Sequence, residues 1–272
     1  MMPIDSSQKN IETFDHSITA TILDVPYGID PAQTMDIYLP AERSCSCTKL
    51  LAIIHGGGFN SGNKADLNNY LIAMQQLLPD YAFFNITYRM ATSNTTRFPT
   101  QENDVNKALQ FIIRNSAAYL VSQKLVLLGI SAGGTLALLQ GYKYSLPVIP
   151  KAIISFFGPT DLRELYNHPT NPLVPLTLLQ VTGKTPDDDS SIYANSSPIN
   201  FVTGNSPPTM LLQGGVDPIV NPEQAITLQA RLKAAGVINQ YVFYPTEGHG
   251  WQGSNLTDSF DKVKDFVNAH VN

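Results

Sequence analysis

Apolar and polar positions alternate in two rhythms along this chain. Short continuous apolar runs recur: "KLLAII", "YAFFNI", "KLVLLGI", "KAIISFF" and "PTMLLQ". Such runs suit strands covered on both faces, as in a buried parallel sheet. "NQYVFY" follows the same design. Two earlier strands are predicted at "TATILDVPYG" and "QTMDIYLP", the second alternating apolar with polar positions. Between these runs lie "ADLNNYLIAMQQLL", "ENDVNKALQFIIRN", "AGGTLALLQGYKY", "EQAITLQARLKAAG" and "TDSFDKVKDFVNAH". Their apolar residues recur at helical spacing, as with Val105, Leu109, Ile112 and Ile113 in the second. Alternating strands and helices predict an α/β fold: a mostly parallel central sheet of about eight strands, flanked by helices.

The rhythm breaks from about Asp161 to Pro208, where Pro, Asn, Ser, Thr and Asp accumulate. Long irregular stretches inside compact domains are usually functional lids or disordered. "PLTLLQVTG" and "SSIYANSSP" read as short helices within it. The expectation is a single domain over residues 1–272, with 161–208 forming a small cap inserted between two sheet strands.

Composition narrows the classes. Of the 272 residues, 43% are hydrophobic and 14% charged, which is ample for a buried core. The net charge is −5 and no basic run occurs, which argues against a nucleic-acid partner, because phosphate binding rests on Lys and Arg. No apolar stretch approaches the roughly 20 residues of a membrane span. Cys45 and Cys47 are too close in sequence for an unstrained bridge and no His cluster accompanies them, so they read as free thiols in a surface loop. The polar opening "MMPIDSSQKNIETFDH" lacks the apolar centre of a signal peptide. That fits a cytoplasmic protein, and equally an exported one whose leader has been removed.

The candidate chemistry begins at "LLGISAGGTLALLQ", where a predicted strand meets a predicted helix at Ser131. A Gly-x-Ser-x-Gly turn in that setting holds its serine on a strained elbow above the sheet. Gly129, Gly133 and Gly134 let strand and helix approach. A second glycine turn, "IIHGGGF", follows an earlier strand. Backbone amides there can converge on one small volume and stabilise the oxyanion of a tetrahedral intermediate. The expected donors are the amides of Gly57, Gly58 and Ala132. Serine also needs a histidine base oriented by a carboxylate, in the chain order Ser, Asp/Glu, His. Of the five histidines, His249 in "TEGHGW" directly follows a late strand, whereas His16, His55, His168 and His270 do not fit the order or place. Asp217 in "LLQGGVDPIV" ends the preceding strand, at the edge where active-site loops gather. Asp161 comes too early, and Asp104 and Asp258 fall in helices or their caps.

These motifs resemble the hormone-sensitive-lipase-like esterases of the α/β-hydrolase superfamily, and especially the BD-FAE-like or acetyl-esterase-like branch. The resemblance runs from Tyr27 to the C-terminus, through "MDIYLP", "HGGGF", "NITYR", "FPTQENDV", "GISAGG", "SPPTMLLQGGVDPIV" and "EGHGW". It implies an α/β-hydrolase fold, with Ser131 as nucleophile, His249 as base, Asp217 as its carboxylate partner, and Gly57, Gly58 and Ala132 as oxyanion hole. The short N-terminus departs from the longer helical cap of many relatives. The acid loop reads "GGVDPIV" where relatives often carry His-Gly before the Asp.

The expected activity is a serine carboxylesterase acting on short-chain, acetyl-like esters through an acyl-enzyme, without metal or organic cofactor. Phe59 and Trp251 are candidate substrate contacts, against the alternative that each packs in the core. Feruloyl or acetyl-xylan esterase and arylformamidase use the same triad. A hydrolase-fold receptor would typically have lost the Ser or the His. The partner is a small ester; the oligomeric state is open.

Overall fold

The uninterrupted apolar runs become the interior of one sheet. In the computed structural model, which describes residues 15–144 and 148–271, the strands are β1 (Ala20–Pro26), β2 (Thr34–Leu39), β3 (Lys49–Ile54), β4 (Tyr81–Ile86), β5 (Leu125–Ile130), β6 (Ala152–Phe156), β7 (Thr209–Gly214) and β8 (Asn239–Tyr244). Their spatial order is β1-β2-β4-β3-β5-β6-β7-β8. β2 runs antiparallel to β1 and β4, and the strands from β4 across to β8 are parallel. Every residue of β4, β5, β6 and β7 is buried, as continuous apolar sequence requires. β2 alternates half-buried and buried positions, matching its alternating sequence.

β8 corrects one expectation. Its apolar run resembles the buried strands, yet only Val242 and Tyr244 are buried, and Phe243 stands 45% exposed. β8 is the last strand in the order, so it pairs on one side only. Residue hydrophobicity does not distinguish a rim strand with aromatic side chains from an interior one.

Five longer helices cover the sheet: α1 (Asn68–Leu77), α2 (Thr100–Arg114), α3 (Ala132–Lys143), α7 (Glu223–Ala234) and α8 (Gly253–His270). α2, α3 and α7 pack into the core on one face; α1 and α8 pack on the other. The predicted stripe of α2 is the buried one, with Val105, Leu109, Ile112 and Ile113 all in the core. Each such aliphatic side chain contributes about 1.5–3 kcal/mol on burial, which fixes the helix's rotation about its axis.

Between β6 and β7 the chain leaves the sheet and forms α4 (Leu162–Asn167), α5 (Val174–Thr182) and α6 (Ser190–Asn195). α5 and α6 lie where "PLTLLQVTG" and "SSIYANSSP" predict them; α4 is additional. Asp161 starts α4, its side chain accepting from the amides of Arg163 and Glu164 at 3.0 Å each. The insert has its own small core of Leu162, Leu165, Val174, Leu178 and Tyr193. Leu173 and Leu176 are 64% and 62% exposed. Cys45 and Cys47 are free and exposed. The polar opening segment, residues 1–14, lies outside the described residues. Among the described residues no helix is long and apolar enough to cross a membrane.

Candidate active site

Parallel strands end together, so the loops after β3, β5, β7 and β8 meet at one edge of the sheet. Ser131 sits between β5 and α3 with φ 54° and ψ −120°, a conformation that costs an L-residue on the order of 1–3 kcal/mol. The surroundings hold it there. Its amide donates to the Phe156 carbonyl at 2.9 Å, and its carbonyl accepts from Gly134 at 2.8 Å as α3 begins. The helix comes so close to β3 that a Cβ on Gly133 would lie 2.1 Å from the Ile54 carbonyl oxygen. Only glycine fits there.

His249 follows β8 and reaches Ser131: its Nε2 lies 2.9 Å from Ser131 Oγ. Its Nδ1 lies 2.8 Å from Asp217 Oδ2, after β7. The Asp217 side chain is wholly enclosed, and an isolated buried carboxylate would be costly. Here its Oδ1 accepts from the amides of Ile219 (2.8 Å) and Val220 (2.9 Å), and its Oδ2 from Gln213 Nε2 (3.0 Å) as well as the imidazole. An ionised carboxylate only accepts, so Nδ1 carries the proton and Nε2 is left with its lone pair toward the serine hydroxyl. Phe157 packs against the imidazole, its ring centroid 4.7 Å away. Backbone bonds tie the acid and histidine loops together: Gly215 donates to Tyr244 at 2.8 Å and Val216 to Glu247 at 2.9 Å.

The glycine turn lies alongside. Gly57 has φ +101°, and a Cβ there would lie 2.1 Å from the Ser61 carbonyl oxygen. Behind the turn, His55 is fully buried and stacked on Tyr88, with ring centroids 4.3 Å apart and planes 6° from parallel. Its Nδ1 donates to the Gly56 carbonyl at 2.7 Å, while Tyr88 Oη donates to the His55 carbonyl at 2.9 Å. Burial pushes the His55 pKa down, which keeps the ring neutral.

Ser131, Ala132, Gly57, Gly58 and Phe59 line an open cavity of about 290 Å³, bounded on the other side by Leu165, Val174 and Leu178 of the insert. The structure therefore brings together Ser131, Asp217, His249 and the three backbone positions expected beside them. Phe59 reaches the cavity wall, edge-on to Phe98 with centroids 5.5 Å apart. Trp251 does not. It is 6% exposed, lies among Phe156, Phe157 and Tyr244, and donates from Nε1 to Ser259 Oγ at 2.9 Å. Proximity to His249 in sequence does not aim the indole at the pocket: two residues on, the chain has turned inward. Among the described residues no cluster of three or more His, Cys, Asp or Glu side chains is arranged to hold a metal ion.

A family model matches most of this chain. The BD-FAE model matches residues 35–232, a span that includes the glycine turn, Ser131 and Asp217. The chain belongs to the BD-FAE family. This BD-FAE chain is 26% identical over 260 residues to the esterase LipC of Mycobacterium tuberculosis, covering 91% of the chain and 62% of LipC. It spans 49% of the probable carboxylic ester hydrolase LipM of the same organism, at 25% identity. Among solved structures it superposes on a bifunctional GH43-CE protein of Bacteroides eggerthii with a TM-score of 0.80 and 25% identity, covering 93% of this chain and 38% of that one. A bacterial heroin esterase superposes with a TM-score of 0.76 at 20% identity, over 98% of this chain and 87% of the other. The fold of this BD-FAE member is the α/β-hydrolase fold. Gln213 and Tyr88 are neighbours of this cluster that sequence reasoning missed. Gln213 stands four residues before Asp217 on a strand, but nothing in its spacing marks it as a carboxylate partner.

Proposed function

We propose that this protein is a serine carboxylesterase that hydrolyses short-chain acyl esters through an acyl-enzyme, with residues 1–272 as one unit and the insert between β6 and β7 as its cap. The observation that carries the reading is the hydrogen-bonded series Asp217–His249–Ser131, at 2.8 and 2.9 Å, opening into a cavity walled by Gly57, Gly58 and Ala132. Ser131 Oγ attacks the ester carbonyl as His249 Nε2 takes its proton. The carbonyl oxygen becomes an oxyanion that the amides of Gly57, Gly58 and Ala132 stabilise. Collapse expels the alcohol, protonated by His249, and leaves the acyl group on Ser131. His249 then deprotonates water, which attacks the acyl carbon; collapse of this second oxyanion breaks the bond to Ser131 Oγ, which takes the proton back from His249, and frees the acid. Asp217 fixes the imidazole tautomer and stabilises the imidazolium in both halves.

The preference for short acyl groups rests on size. About 290 Å³ is at the lower limit of ligand sites, which start near roughly 300 Å³. A second reading, an esterase acting on acyl groups of plant polysaccharide, is favoured by Asn60, Asn171 and Thr177 in the cavity lining, whose amides and hydroxyl suit a hydroxylated alcohol.

A series of p-nitrophenyl esters from acetate to palmitate tests both readings beside acetylated xylan, methyl ferulate and N-formylkynurenine. We expect kcat/KM to peak between acetyl and butyryl. Faster turnover of C12–C16 esters would reject the short-acyl reading. Higher kcat/KM on acetylated xylan than on any aryl ester would favour the polysaccharide, and preferential cleavage of N-formylkynurenine would reassign the enzyme as an arylformamidase.

A further inference from the structure

Each of the three amides assigned to the oxyanion belongs to a peptide whose carbonyl is held on its other side. In a planar trans peptide the C=O and N–H point in opposite directions, so anchoring one aims the other. The Ser131 carbonyl, partner of the Ala132 amide, accepts from Gly134 at 2.8 Å and Thr135 at 3.3 Å. The Gly56 carbonyl, partner of the Gly57 amide, accepts from His55 Nδ1. The Gly57 carbonyl, partner of the Gly58 amide, takes three donors: the amides of Asn60 (3.2 Å) and Ser61 (3.0 Å) and the Ser61 hydroxyl (2.8 Å). The hydroxyl bond is the shortest of the three. It is also the one made by an exposed side chain, which can be changed without opening the core.

We propose that Ser61 is a positioning residue of the oxyanion site: its hydroxyl, bonded to the Gly57 carbonyl, aims and polarises the Gly58 amide at the reacting carbonyl. The inference rests on Ser131 being the nucleophile. Gly58 has φ +58°, and its peptide with Gly57 has no side chain of its own to steady it. A donor on the carbonyl withdraws electron density across the amide and strengthens the N–H as a donor. The Ser61 backbone is already folded against Gly57, as the 2.1 Å approach to a Gly57 Cβ shows, so its hydroxyl makes this bond with little further ordering. Ser61 also lines the cavity, so the rival role is a direct contact to the substrate's alcohol. The two roles differ in reach. An oxyanion forms in acylation and again in deacylation, whereas the alcohol has departed before the second step.

The test compares wild type, Ser61→Ala and Ser61→Thr by pre-steady-state kinetics on acetate esters of three different alcohols, with Ser131→Ala as control. For Ser61→Ala we expect acylation and deacylation constants both to fall about 3- to 10-fold, the factor that one hydrogen bond of ordinary net strength corresponds to. The loss should be the same for all three alcohols, with substrate dissociation constants and melting temperature unchanged. Ser61→Thr, which keeps the hydroxyl, should recover most of the rate. Affinity for a trifluoromethyl ketone, which forms an oxyanion on the nucleophile, should drop by the same factor as kcat/KM. Unchanged constants in Ser61→Ala would overturn the proposal, as would a loss confined to acylation or to one alcohol. Full ester turnover by Ser131→Ala would instead overturn the nucleophile assignment and the positioning role with it.

Discussion

The two walls of the cavity are built on different principles. On the sheet side, backbone geometry sets the positions. Ser131 occupies a strained turn because β3, β5 and α3 leave no other path, and the glycine turn is folded against Ser61 and braced by buried His55. On the insert side, side chains form the wall: Leu165, Leu173, Val174 and Leu178 line the space, and Leu176 of the same segment is exposed. One wall is over-determined by packing and the other rests on three short helices. On the proposed function, reaction type belongs to the rigid wall, and the choice of ester to the wall that a few substitutions can reshape.

The sharpest way to break this contrast is to remove the proposed nucleophile. Ser131→Ala keeps the elbow's backbone and deletes Oγ alone. We expect esterase turnover to fall by about 10⁴ to 10⁶, as in other triad knockouts, with circular dichroism and melting temperature preserved. Retention of more than about a tenth of wild-type p-nitrophenyl acetate hydrolysis would contradict a triad-type loss.

Adjacent glycines then separate the two walls. A Cβ on Gly57 would strike the Ser61 carbonyl at 2.1 Å, within the turn itself. A Cβ on Gly58 would lie 3.3 Å from Thr177 Cγ2, a side chain of the insert. Gly57→Ala should therefore displace the oxyanion donors and lower kcat by about 10² to 10³, the cost of losing one donor. Gly58→Ala should lower it less, because its Cβ meets the end of the Thr177 side chain rather than backbone, with roughly 1–2 kcal/mol lost from stability for one L-residue in left-handed geometry. Burst titration with an activated ester counts competent Ser131 in each variant. Equal losses would mean that the walls do not differ as described, and early melting with normal acylation would make the turn purely structural.

The same contrast explains what could be read in the sequence. Ser131, Asp217 and His249 each follow a strand, and strand ends of a parallel sheet must converge, so chain order and apolar runs sufficed to bring them together. Ser131, His249 and the glycine turn also announce themselves by residue type. The rest depends on contacts between distant segments. Tyr88 lies 33 residues from His55, yet stacks on it. Trp251 turns toward Ser259 and the core because α8 packs there, which no local pattern signals. α4 is a six-residue helix held by an Asp161 cap and its contacts within the insert; so short a helix carries almost no periodicity. β8 looks like an interior strand until the order of the sheet places it at the rim.

The smallest expected effect concerns two histidines, one behind each wall. His55 is sealed beneath the glycine turn, and burial lowers its pKa below the ordinary value of 6.5. His168 belongs to the insert, with its side chain 70% exposed and its Nδ1 2.8 Å from Glu164. A histidine buried in its neutral form binds fewer protons folded than unfolded, so stability from that difference is complete above pH 6.5. It is lost as pH falls below 6.5 toward the lowered folded pKa, at a slope of at most about 1.4 kcal/mol per pH unit for one proton. Denaturant unfolding at pH 7.5, 6.5, 5.5 and 5.0 should show that slope in wild type and a shallower one in His55→Gln, whatever the variant's absolute stability. His168→Gln removes an exposed pair, worth about 0–1 kcal/mol, and should change stability by no more than that at pH 7.5. A steep acid slope that survives unchanged in His55→Gln would place the pH sensitivity elsewhere than beneath the glycine turn.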